Sequence, residues 1–146
     1  MPAAGFRGWL LTLAIFQGLL LIRQGATVVQ ITRDFVSGVE VLAVAPFSVL
    51  YGGRLAINSL FLALVAVAVV LMALRRRAFI RWGRLEMTGL MLLPFVDYAW
   101  FVVAPWEGDA GLPPGLLLLM AIHVAVGLAW RRYLESSARV AATFVR

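Results

Sequence analysis

SLFLALVAVAVVLMAL, residues 59 to 74, has no charged side chain and only one hydroxyl. A helix needs roughly 20 apolar residues to cross a bilayer core of about 30 Å. Extended back to Tyr51, this run meets that length. It reads as a transmembrane helix, and the rest of the chain follows from it. Of the 146 residues, 63% are hydrophobic and 14% are charged, with a mean hydropathy of +0.95. A water-soluble domain of this size needs more polar surface. The length allows about four crossings and no second domain. Transmembrane barrels alternate polar and apolar in segments of roughly ten residues, and these unbroken runs do not. The fold class is therefore all-α, a four-helix transmembrane bundle forming a single integral membrane domain over residues 1–146.

Four segments fit, at about 9–31, 51–74, 84–104 and 116–133. PWEGDAGLPPG (105–115) is a Pro/Gly-rich turn between the third and fourth. TRDFVSGVEVLAVAPFSVL (32–50) is fairly apolar but interrupted by charge, so a short interfacial or re-entrant segment between helices 1 and 2 is expected. The N-terminus has no A-x-A cleavage pattern after its apolar stretch and reads as a retained helix.

All 13 cations are arginine. Arg75, Arg76, Arg77, Arg81 and Arg84 lie between segments two and three. Arg131, Arg132, Arg139 and Arg146 lie in or after segment four, and Arg7 precedes segment one. The loops on the other side carry Glu107 and Asp109, and a mixture of Arg33, Asp34, Glu40 and Arg54. The positive-inside rule puts both termini and the arginine loop in the cytoplasm. In a chain this apolar, an isoelectric point near 11.3 reflects topology and anionic lipid headgroups on the cytoplasmic side, and no nucleic acid partner is expected.

Within MLLPFVDYAWFVV (91–103), Asp97 is the conspicuous residue. An ionisable group at depth costs several kcal/mol unless it is paired or hydrated. At 1.5 Å per residue, Asp97 lies about 20 Å up segment three and Arg23 about 21 Å up segment one. His123 lies about 11 Å below the outer end of segment four, and Asn58 a turn or two into segment two. These depths predict a buried polar cluster of Arg23, Asn58, Asp97 and His123, with an Arg23–Asp97 ion pair. Two readings of Asp97 stay open: a structural pair, or a site for an ion, proton or headgroup. Pro94, one turn before it, removes a backbone hydrogen bond.

Much chemistry is excluded. There is no cysteine, hence no thiol–disulfide exchange. One histidine cannot supply both axial ligands of a membrane haem, although two copies of the chain could. No metal-ligand spacing, Gly-rich phosphate loop or activated nucleophile is found, so no cofactor, metal or catalytic residue is expected. Five tryptophans (9, 82, 100, 106 and 130) fall near segment ends, as in an aromatic belt. Small residues, among them Gly18, Gly25 and Gly127, suit close helix approach.

The tail WRRYLESSARVAATFVR (130–146) resembles the closing signature of a bacterial membrane family catalogued as domain of unknown function 2569. The resemblance rests on Trp130, Tyr133, Ser137, Arg139, Val140, Thr143, Phe144 and Val145. GFRGWLLTLAIFQGLLLIR is similar to the family's opening, with Gly5, Gly8, Trp9 and Arg23. Asn58, the basic loop RRRAFIRW and Asp97 match its later features. Where the family has a proline before the arginine of helix one, this chain has Leu20, Leu21 and Ile22. Where it often has an acid one turn before the asparagine, this chain has Arg54. The resemblance implies a four-helix inner-membrane architecture and no particular activity.

As a helix, the tail places Tyr133, Ser137, Val140, Ala141 and Phe144 on one face and turns Arg132, Glu135, Arg139 and Arg146 away. Such a cytoplasmic amphipathic tail (134–146) suits anionic lipid or a docking partner. Arg75, Arg76, Arg77, Arg81, Arg131, Arg132, Arg139 and Phe144 are the candidate contacts to partner or lipid surface. The sequence thus favours a non-catalytic accessory subunit that binds a larger membrane complex or itself. The alternative is a carrier or binder of an ion, proton or lipid headgroup using the buried polar cluster.

Overall fold

The computed structural model describes residues 8–41, 45–103 and 115–144, with side chains left undescribed at 39–48. The expected 105–115 turn, Trp106, Glu107, Asp109, Arg7 and Arg146 lie outside the described residues or side chains, as does the Glu40 side chain. The architecture is an all-α four-helix bundle: α1 Trp9–Val41, α2 Ala45–Ala73, α3 Ala78–Val103 and α4 Leu116–Ser136, followed by a short α5, Ala138–Thr143. Four of the helices are long and apolar enough to cross a membrane. α1 packs on α2, α2 on α3 and α3 on α4. At one end, α1 also meets α4 through Trp9–Trp130 and Phe16–Trp130, with ring centroids 6.5 and 5.7 Å apart. The start of α1, the end of α4 and the α2–α3 turn thus gather at the arginine-rich end.

Two expected boundaries are corrected. Among the described residues, 32–41 and 45–50 form no separate interfacial or re-entrant segment: α1 continues to Val41 and α2 begins at Ala45. The charges that interrupt 32–41 disfavour lipid but not a helix, and the hydroxyls of Thr32 and Ser37 donate to carbonyls one turn back. α1 has 33 residues and is therefore about 50 Å long. The second correction concerns α3, which starts at Ala78, six residues before the expected Arg84. Arg81 and Arg84 are exposed, while Phe79, Gly83, Glu86, Met87, Leu90 and Pro94 form one buried stripe. Arginines on the outer face of a helix had the look of a loop.

The α2–α3 turn is short because α2 stops sharply. Arg75 takes a left-handed φ of 52°, Arg76 N–H donates to Leu71 C=O at 3.0 Å and Arg75 N–H to Met72 C=O at 3.0 Å. This paired closure usually has glycine at the left-handed position. Glycines also set helix spacing. A Cβ on Gly53 would run into the Trp100 indole, and one on Gly127 into Met91 and the Met87 carbonyl. Gly18 and Gly25 have no such close neighbour.

The tail does not continue α4. Ser137 leaves the helix at φ −82°, ψ 112°, and its side chain accepts from Val140 N–H at 3.4 Å to start α5. α5 then folds back into the core. Val140 and Phe144 are buried, and the Phe144 ring lies 4.5 Å from that of Phe79. Gly8 comes against the Arg139 guanidinium at the same end.

Candidate functional site

The polar contacts that join α1, α2 and α3 form two layers rather than one cluster. Counted from the arginine-rich end, Gln24 and Asn58 both lie about 22 Å up their helices. Arg54 and Asp97 both lie about 28 Å up. Here Arg54 forks onto the carboxylate, Nε donating to Oδ1 at 3.1 Å and Nη2 to Oδ2 at 3.0 Å. This bidentate geometry is the strong form of the charged hydrogen bond. The Asn58 amide donates to the Arg54 carbonyl at 2.9 Å and reaches Asp97 Oδ1 at 3.4 Å. Gln24 Nε2 donates to Asn58 Oδ1 at 3.0 Å and to its carbonyl at 3.2 Å. One chain of polar contacts thus runs from α1 through α2 to α3.

Asn58 and Asp97 therefore meet as expected, but the Arg23–Asp97 pair is corrected: the partner is Arg54. Starting α3 at Ala78 raises Asp97 by six residues, about 9 Å, above the level of Arg23. Arg23 is exposed, and its neighbour Gln24, about 100° round the helix, takes the inward position. His123 is also corrected out of the cluster. It is buried, but its Nδ1 is 2.8 Å from the Leu119 carbonyl of its own helix. Arg54 was read from the sequence as a charge of the mixed loop and was missed as the partner, because it lies inside α2.

The second layer escaped the sequence. Glu86 and Gln17 are both 0% exposed, each about 12 Å up its helix, and Gln17 Nε2 donates to Glu86 Oε2 at 2.7 Å. Gln17 Oε1 and Glu86 Oε1 have no hydrogen-bond partner among the described residues. Gln17 and Gln24 share the face of α1 that also buries Leu10, Leu13, Leu20 and Ile31. Spacing of seven on an amphipathic helix could have flagged both glutamines. Glu86 was hidden by its arginine neighbours.

On the surface, Arg75, Arg76, Arg77, Arg81, Arg132 and Arg139 are exposed, as a membrane-surface role requires. Arg131 is half-buried: Nη1 donates to the Thr88 hydroxyl at 3.3 Å and Nε to Glu135 at 3.2 Å. Phe144 is corrected. It is 1% exposed and packed on Phe79, because the turn at Ser137 points the apolar face of the tail inward. Among the described residues, no group of three His, Asp or Glu side chains is placed to hold a metal ion. No protein-family model matches the chain, and no curated protein or solved structure matches it either.

Proposed function

We propose that this chain is a non-catalytic accessory protein of a bacterial inner membrane, binding a larger membrane complex or a second copy of itself. In this reading the arginine-rich end and both termini are cytoplasmic, following the positive-inside rule. Its relatives are the bacterial family of domain of unknown function 2569, on the residues that carry that resemblance. The observation that carries the accessory reading is the state of Asp97. Its two oxygens are engaged by Arg54 and Asn58 of its own chain, so the acid serves to join α2 to α3. The surface left for recognition is the outer apolar face, where Leu60, Leu117 and Leu118 are 75%, 68% and 66% exposed. The test is purification from native membranes in mild detergent, with sizing and crosslinking. A stoichiometric dimer or companion that Leu117→Arg/Leu118→Arg dissociates is the expected result. A monomer without a stoichiometric companion overturns the reading. Reporter fusions at the two termini check the orientation independently.

One observation favours a second reading, a carrier of a proton or small cation: Glu86 is fully enclosed in a spanning helix with one oxygen unpartnered. Reconstituted liposomes distinguish the two. A proton or cation flux abolished by Glu86→Gln supports the carrier, and its absence leaves the accessory reading alone.

A further inference from the structure

Arg81, Arg84 and Arg131 line one open pocket of about 460 Å³, together with Trp82, Leu85 and Thr88. A second cavity, a groove of about 570 Å³ between α2 and α3, begins at the same Trp82, Leu85 and Thr88. From there it runs past Phe61 and Leu64 to Val96 with an almost wholly apolar lining. A basic recess and an apolar channel thus share a wall of three residues. From Trp82 to Val96 the channel is about 21 Å long at 1.5 Å per residue. Half of a bilayer core is about 15 Å, so the channel is long enough for an acyl chain of one leaflet.

The basic recess is built, not merely charged. The Thr88 hydroxyl donates to the Arg84 carbonyl at 2.9 Å and accepts from Arg131 at 3.3 Å, fixing α4's arginine over α3. Among the described residues, Glu135 is the one acid paired with it, 3.2 Å from Arg131 and 4.0 Å from Arg84. Three cations against one anion leave a net positive recess, with Arg81 in no ion pair among the described residues. Guanidinium groups bind phosphate oxygens in paired hydrogen bonds. A zwitterionic headgroup brings its own ammonium toward this surplus of positive charge, and an anionic headgroup does not.

We propose that this composite site holds an anionic glycerophospholipid, its phosphate among Arg81, Arg84 and Arg131 and one acyl chain in the α2–α3 groove. The site stands independently of the accessory reading, because it concerns lipid and not protein. Native mass spectrometry of the full chain, with equal amounts of phosphatidylglycerol and phosphatidylcholine, tests it. Retention should favour phosphatidylglycerol by at least about fivefold, the order expected for one basic side chain at an anionic surface. Arg81→Ala/Arg84→Ala should bring the two lipids to parity, while Arg131 keeps its contacts to Thr88 and Glu135. Leu85→Trp, which fills the shared wall, should lower retention of phosphatidylglycerol itself. Arg75→Ala/Arg76→Ala/Arg77→Ala removes more charge outside the site and should leave the preference intact. Equal retention of the two lipids by the wild type overturns the proposal, as does equal loss in the 75–77 variant, which would mean diffuse attraction. Displacement by millimolar inorganic phosphate would show a free-anion site and overturn it as well.

Discussion

The two polar layers of this bundle solve the same problem differently. Toward the far end, Asp97 is met by a guanidinium on both oxygens, and Asn58 and Gln24 extend the contact across three helices. Toward the arginine-rich end, Glu86 is met by one amide, and an oxygen on each partner is left over. The first layer is charge-compensated and lies at the edge of the bundle, its ion-paired side chains 33% and 27% exposed. The second is sealed and has no cation among its hydrogen-bond partners. A carboxyl group inside a membrane bundle is thus met by charge matching in one place and by a single amide hydrogen bond in the other. Only in the first arrangement are both carboxylate oxygens engaged by a neighbouring helix.

Substitutions can break this contrast. The largest effect is expected below the enclosed layer, where Phe144 packs on Phe79, two turns beneath Glu86 on the same face of α3. Phe144→Ala should cost about 3 kcal/mol in a detergent unfolding titration, as for a buried aromatic. A cost below about 1 kcal/mol would mean that the tail does not close that end. Next, Arg54→Leu strands Asp97 in a spanning helix and should cost about 2 kcal/mol, moderated by the pair's partial exposure. The exchange Arg54→Asp/Asp97→Arg should recover part of that loss. If the exchange is no better than either single change, charge compensation is not what matters there.

Smaller effects sharpen the comparison. Gln24→Leu removes a peripheral member of the compensated layer and should cost about 0.6 kcal/mol, the average for a hydrogen bond between membrane helices. Smallest of all should be Gln17→Leu/Glu86→Leu, which removes both partners of the enclosed pair at once. Replacing both polar groups by apolar ones of similar shape is nearly neutral, within about 1 kcal/mol, whereas Glu86→Ala alone leaves the Gln17 amide unpaired. A strongly destabilised double variant would show that the enclosed layer holds the bundle as the outer one does.

The helices were legible from apolar run length, because the cost of an unpaired backbone in lipid admits few alternatives. Their ends were less so. Arg81 and Arg84 lie on the outer face of a helical turn that also buries Phe79 and Gly83, and a charge-based reading starts the helix too late. A start at Arg84 places Asp97 about 9 Å too low, level with Arg23 instead of Arg54. Depth along an axis could pair Asp97 with Asn58, but not choose between Arg23 and Gln24, which differ by about 100° of rotation. Glu86 was missed for the opposite reason: among arginines it reads as a surface charge, and only its hydrogen bond to Gln17 of α1 and its burial show it enclosed.

The length of α1 has its own consequence. Transmembrane helices tilt by up to about 40°, and at that angle a helix of about 50 Å still covers about 38 Å along the bilayer normal. The hydrocarbon is about 30 Å thick, so roughly the last two turns of α1, from about Ser37 onward, stand in the headgroups or in water. The bundle therefore carries helical structure past the hydrocarbon on the face away from its arginine-rich end.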